Sequence, residues 1–188
     1  IEEAITVQIT LSGQSDSCGQ SLVVKPVDVI LVLDSSGSMA GEALDAAKQA
    51  ARAFVNQMDL SQDRVGIVQF SDAVDSTHPL DNDRAAIIAA IDRIHQTGGT
   101  AIHNGLQGAF ELLQADRRDE ATPVIVLLSD GESDATSATH VADTAKAAGV
   151  KIVTVGLGNS LNPALMEAIA SPDLNGQPQY FNAPTADD

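Results

Sequence analysis

The segment Asp34-Ser35-Ser36-Gly37-Ser38-Met39 has the residue types and spacing for ligand chemistry. Asp34, Ser36 and Ser38 are two residues apart, so an extended or turning loop can aim three oxygens at one point, and Gly37 permits the bend between them. Ser129-Asp130-Gly131 offers a second carboxylate, and Gly98-Gly99-Thr100 a further hydroxyl. Two carboxylates and three hydroxyls, without His or Cys, form an oxygen-only set. Such ligands suit Mg²⁺, Ca²⁺ or Mn²⁺, and Mg²⁺ would hold them at about 2.1 Å while keeping several waters. Singly, each piece has a plain structural use: Asp34 as a helix cap, the serines as turn residues, Gly98-Gly99-Thr100 as a loop with a cap, Asp130-Gly131 as a turn. Their meaning depends on whether the chain brings them to one place.

The elements around them predict that it does. Val27 to Leu33 is nearly continuous apolar sequence, as in a strand covered on both faces. Leu44, Ala47, Ala51, Phe54, Val55 and Met58 recur at helical spacing behind it. Arg64 to Phe70 reads as a second strand and Ala73 to Thr77 as a short edge strand. Ile87, Ile88, Ile91 and Ile94 mark a helix with Asp81 or Asn82 as its cap, and Ile102, Leu106, Ala109, Phe110 and Leu113 mark another. Pro123 to Leu128 is a buried strand; Val141, Ala145 and Ala148 give a helical face; Lys151 to Leu157 is a strand. Asn162-Pro163 reads as an N-cap with Pro at the first helical position, ahead of Leu165 and Ile169. Tyr180-Phe181 closes with a short strand.

Strands alternating with amphipathic helices give an α/β, Rossmann-like fold: a mostly parallel central sheet with helices on both faces. Ligands of such sheets sit beyond the carboxyl ends of the strands, where strand order reverses. The Asp34, Thr100 and Asp130 segments all follow predicted elements at that rim. Residues 1–25 read differently. Ile5, Val7, Ile9 and Leu11 alternate with polar residues, as in an N-terminal β-hairpin or the end of a preceding β-module, which leaves residues 26–188 as the main domain.

Charge excludes several functions. Ten basic residues face 26 acidic ones, a net charge of −16, which disfavours nucleic acid and anionic lipid as partners. No apolar run approaches the roughly 20 residues of a membrane span. One cysteine, Cys18, cannot form an internal disulfide. The chain does not begin with Met, which fits a piece of a larger multi-module protein.

DVILVLDSSGSM at 28–39, GGTAI at 98–102 and VIVLLSDGES at 124–133 resemble the von Willebrand factor A family, whose fold is shared with integrin inserted domains. The match follows that family's metal-ion-dependent adhesion site. The resemblance implies that Ser36 and Ser38 bind a divalent cation directly, with Thr100 doing so directly or through water. Asp34 and Asp130 would act mainly through water and by orienting the serines. It further implies a non-enzymatic domain, extracellular or on the cell surface, whose cation (Mg²⁺ first, Ca²⁺ or Mn²⁺ as alternatives) takes an Asp or Glu carboxylate from a protein partner. Residues 39–42 lack the paired acids of the neighbouring calcium site in integrin β subunits. Members of the family commonly continue past the position of Asp188 into a last helix that moves during affinity switching. Glu132 and Asp134 are candidates to tune the site.

Rival readings have less behind them. A cytoplasmic assembly subunit of an AAA+ or chelatase-type machine shares the fold. A phosphohydrolase with Asp after its first strand needs a second carboxylate at the position of Ser36. A serine hydrolase needs Gly on both sides of its serine, and neither Ser36 nor Ser38 has it. The histidines 78, 95, 103 and 140 show no metal spacing, and His103 is expected at a solvent-exposed helix position.

Overall fold

A computed structural model describes residues 25–131, 133–157 and 161–183. The hairpin expected over residues 1–25 lies outside them except for Lys25, as do Cys18 and Glu132. The elements, in order, are β1 (Val27–Asp34), α1 (Glu42–Gln57), β2 (Arg64–Phe70), β3 (Val74–Asp81), α2 (Arg84–Asp92), α3 (Ile102–Asp116), β4 (Thr122–Ser129), α4 (Ala135–Ala147), β5 (Lys151–Gly156), α5 (Pro163–Ile169) and β6 (Tyr180–Asn182). A single 3-10 turn, Gly37–Met39, separates β1 from α1.

The strands form one sheet in the order β3-β2-β1-β4-β5-β6, parallel except for β3. This is the Rossmann-like arrangement the alternation predicts. From β1 the chain moves outward through β2 and β3, then returns to place β4 on the other side of β1. Strand order therefore reverses between β1 and β4. The central strand explains the two-layer packing. Val29, Leu31 and Leu33 face α1 and α2, while Ile30 and Val32 face α3, α4 and α5. All five are essentially buried, which is why this strand reads as an unbroken apolar run.

Some local expectations are corrected. The edge strand runs from Val74 to Asp81, longer than 73–77, because it pairs antiparallel with β2 despite two register irregularities. Asp83, not Asp81 or Asn82, caps α2, accepting from the Ala85 and Ala86 amides, while Asp81 accepts from the Asn82 and Asp83 amides just before it. The buried face of α4 is Ala138, Ala142 and Ala145; Val141 flanks it and Ala148 lies past the helix end, exposed. Asn162 and Pro163 start α5 as expected, with the Asn162 side chain accepting from the Leu165 amide.

At the amino end of β1, Asp28 is fully buried. Arg64 and Arg118 both hydrogen-bond its carboxylate, at 2.8 to 3.2 Å, and the Arg118 amide adds a bond of 2.9 Å. Burial opposes the charged form of Asp28, but the bonds from Arg64 and Arg118 outweigh it and hold the carboxyl below the usual aspartate value. This ion cluster lies at the opposite end of β1 from Asp34.

Candidate metal centre

Asp34 is the last residue of β1 and Ser129 the last of β4, so adjacent parallel strands end side by side at the point where strand order reverses. The next residues of each strand turn over the rim. Asp34 and Ser36 are completely buried, Asp130 is 1% exposed, Thr100 is partly exposed and Ser38 is exposed. The set thus runs from Asp34, Ser36 and Asp130, all buried, outward to the accessible Thr100 and Ser38.

Asp34 uses both carboxylate oxygens. Oδ1 accepts from the Ser36 amide at 2.9 Å, and Oδ2 accepts from the Ser129 hydroxyl at 2.5 Å. It caps neither α1 nor the 3-10 turn; its bonds instead bend the loop that carries the serines. The Ser36 and Ser38 hydroxyl oxygens lie 3.1 Å apart. Burial pushes the Asp34 carboxyl up from the ordinary aspartate value, and the nearby charge of Asp130 adds to this, against the opposing bonds from Ser129 and Ser36. A cation placed beside it would act in the other direction.

Backbone bonds set the neighbouring loops. Gly37 donates to the Gly98 carbonyl at 3.0 Å and Thr97 donates to the Ser35 carbonyl at 2.8 Å, joining the serine loop to the segment ahead of Thr100. On the far side of Thr100, Ala101 donates to the Ser71 carbonyl at 2.7 Å, and the Ile102 amide donates to Ser133 Oγ at 3.0 Å. Helix α3 then packs closely on β2: a Cβ at Gly105 would fall 2.6 Å from the Phe70 ring. The absence of that carbon lets α3 start directly over the strand ends. After Asp130, Gly131 takes φ +80° and its amide donates to Ser129 Oγ at 3.0 Å.

The five residues singled out in the sequence all occupy this rim, on three loops tied to one another. The sequence did not single out Ser129 as the partner of Asp34, nor the buried Ser35 and Gln69 behind the loop. Their hydroxyl and amide types carry no signal until the register of β1, β2 and β4 is known. Asp134 is the N-cap of α4, accepting from the Thr136 and Ser137 amides. His103 is half-buried rather than solvent-exposed, because α3 lies close against the sheet. No group of three His, Cys, Asp or Glu side chains placed to hold a metal occurs among the described residues. A cation here would therefore depend on hydroxyls.

Comparison with known proteins agrees with this architecture. An uncharacterized Synechocystis sp. protein, sll0103, is 28% identical over 186 residues, covering 95% of this chain and 42% of that protein. Calcium-activated chloride channel regulator 1 of Equus caballus is 35% identical over 145 residues, covering 74% of this chain and 15% of that protein. The chain thus spans less than half the length of either relative. Among solved structures, proximal thread matrix protein 1 from the mussel byssus, with its metal-ion-dependent adhesion site (MIDAS) occupied by zinc, superposes with a TM-score of 0.72 at 24% identity. That match covers 87% of this chain and 43% of the other. The model of the von Willebrand factor type A domain matches residues 28–188, from the buried start of β1 to the last residue of the sequence, and the chain belongs to that family.

Proposed function

We propose that this is a divalent-cation-dependent protein-binding domain without enzymatic activity. Ser36 and Ser38 bind the cation directly, Thr100 binds it directly or through water from its own loop, and Asp34 and Asp130 act mainly through water and by orienting the serines from beneath. The observation that carries this reading is the 3.1 Å separation of the Ser36 and Ser38 hydroxyl oxygens. Two adjacent vertices of an octahedron with bonds of about 2.1 Å are about 3.0 Å apart, so the two serines already span one edge of a Mg²⁺ shell.

Charge supports the same reading. The described rim segments 34–41, 71–73, 95–101, 129–131, 133–134, 157 and 161–162 contain no Lys or Arg, while they carry Asp34, Asp72, Asp130 and Asp134. A carboxylate partner has no cationic side chain to meet in these segments, and the metal supplies the positive charge. Neutral hydroxyls in the inner shell leave that charge largely uncompensated, so an Asp or Glu from a partner completes the coordination strongly. Mg²⁺ is the proposed native ion, with Ca²⁺ and Mn²⁺ able to replace it. The zinc found in the mussel protein shows that a MIDAS in a protein of this fold accepts a transition metal. The chain is read as an extracellular or surface module of a longer protein, in keeping with the mussel matrix protein and with the small share of each relative that it spans.

Calorimetric titration with Mg²⁺ and Mn²⁺ tests the site. Wild-type protein is expected to bind one ion, and Asp34→Ala to lose 10- to 100-fold in affinity, as is typical when a partner of the metal's ligands is removed. Equal affinity in the two proteins would remove the assignment.

A further inference from the structure

Behind the serine loop lies a polar network, buried at Ser35 and Gln69 and reaching solvent at Asp75 and Ser76, that the metal ligands do not themselves explain. Ser35 is fully buried and Gln69, on β2, is 2% exposed. Gln69 Nε2 donates to Ser35 Oγ at 3.1 Å and to the His95 carbonyl at 2.9 Å, while its Oε1 accepts from the Ser76 hydroxyl at 3.1 Å. Ser35 Oγ also lies 2.9 Å from Thr97 Oγ1 and 3.0 Å from the Phe70 carbonyl. Thr97 in turn donates to Asp75 Oδ2 at 2.8 Å.

These bonds join three segments to β2, which carries Gln69 and Phe70. Ser35 belongs to the loop of Ser36 and Ser38, Thr97 and His95 to the segment leading to Thr100, and Asp75 and Ser76 to the edge strand β3. The Thr97 amide to Ser35 carbonyl bond and the Gly37 amide to Gly98 carbonyl bond run alongside. Ser35 sits next to Asp34 and Ser36, and Thr97 three positions before Thr100; Gln69 bonds the first and Asp75 the second. Buried polar groups are costly unless satisfied, and a fully satisfied set holds its segments in one arrangement.

We propose that Gln69, Ser35, Thr97 and Asp75 are positioning residues that fix the Ser36–Ser38 pair relative to Thr100, and thereby set the affinity for the cation. The proposal rests on the metal-binding reading above. In its absence the two loops would keep their backbone bonds, but the hydroxyl of Thr100 would no longer be held at a fixed distance from the serine pair. The cation would then find three ligands only at the cost of ordering them.

The test compares Mn²⁺ affinity by calorimetry with the melting temperature in EDTA. Thr97→Val removes the hydroxyl at nearly constant shape and is expected to weaken Mn²⁺ binding about tenfold. Thr97→Ser, which restores the hydroxyl, is expected to stay within about twofold of wild type. Asp75 is exposed, so its variants serve if Thr97→Val does not fold. Asp75→Ala is expected to weaken binding, whereas Asp75→Asn, which keeps the acceptor but not the charge, is expected to preserve it. Wild-type affinity in Thr97→Val or in Asp75→Ala overturns the proposal. Equal losses in Thr97→Val and Thr97→Ser, or in Asp75→Ala and Asp75→Asn, also overturn it, since side-chain bulk or charge alone would then account for them. Absence of Mn²⁺ binding by the wild-type protein overturns the metal site itself, and this inference with it.

Discussion

The Ser129 hydroxyl is donated to Asp34 Oδ2 across 2.5 Å, linking the last residue of β4 to the last residue of β1. The other oxygen of the same carboxylate holds the Ser36 amide. Asp34 is therefore an orienting group that shapes the loop through both of its carboxylate oxygens. It is also a buried acid whose ionised form is disfavoured until something positive arrives.

Asp34→Asn should accordingly move two properties in opposite directions. The raised pKa of Asp34 means that its favourable contribution to cation-free stability is complete below 3.8, the ordinary aspartate value, and is lost as pH rises through the raised value. Above the raised value the ionised group burdens the fold. Asn keeps an acceptor for the Ser36 amide and carries no charge. Melting in EDTA at pH 7 should rise in the variant while stabilisation by Mg²⁺ disappears. A fall in the EDTA melting temperature would contradict this account of the site.

Cation binding should stabilise the wild-type fold by linkage. At a hundred times the dissociation constant the gain is about 2.7 kcal/mol. For a domain of this size each kcal/mol shifts Tm by roughly 2–4 °C, so melts with Mg²⁺ and with EDTA should differ by roughly 5–10 °C. The Ser36→Ala variant should show a much smaller difference.

The Asp28 cluster predicts acid sensitivity unrelated to metal. Its lowered pKa contributes stability above 3.8, and that stability is lost as pH falls through the lowered value. Asp28→Ala leaves Arg64 and Arg118, both partly buried, without their shared partner. Removing one member of a buried pair costs roughly 3–5 kcal/mol, and the partial exposure of both arginines places this case near 3. Urea denaturation at pH 7 and pH 3 should show the difference between wild type and variant shrinking in acid. Mg²⁺ affinity of the folded variant should match wild type.

Gly105→Ala tests how closely α3 must approach β2. The new methyl would meet the Phe70 ring at 2.6 Å, so helix or ring has to shift. Overpacking of this kind costs about 1–3 kcal/mol. Because α3 begins two residues after Thr100, Mn²⁺ affinity should fall as well. Chemical denaturation and calorimetry on the same sample measure both.

The acidic rim predicts the character of the partner's neighbourhood. A peptide presenting one Glu among Lys residues should bind in Mg²⁺ more tightly than one presenting Glu among further Glu residues, with the gap closing at high salt. Replacing the central Glu with Gln should abolish the cation dependence. Binding that ignores flanking charge would show that the rim field is not felt by the partner.

The fold was legible because its strands are buried on both faces and announce themselves as apolar runs. Arg64–Phe70 was read to the residue. The full edge strand is not legible because β3 is mostly exposed, and Pro79, His78 and Asp81 hide it among loop-like residues. The buried face of α4 departs from the expected one since alanine is abundant on every side of that helix. At the site, Asp34, Ser36, Ser38, Thr100 and Asp130 were visible as a pattern at strand ends. Gln69 and Thr97 were not, because a buried Gln on a strand and a Thr in a loop declare themselves only through partners distant in sequence.

Asp28 and Asp34 anchor the two ends of the same central strand, one to a pair of arginines and the other to the rim. β1 is flanked on both sides by parallel neighbours, each paired with it at seven positions. A pull applied between the proposed rim site and Val27 would run along the length of this strand. Both ladders are then loaded in shear, with all their hydrogen bonds sharing the force rather than opening one at a time. The geometry that collects the oxygens at one pole of β1 also gives that strand its longest lateral support, seven paired positions on each side.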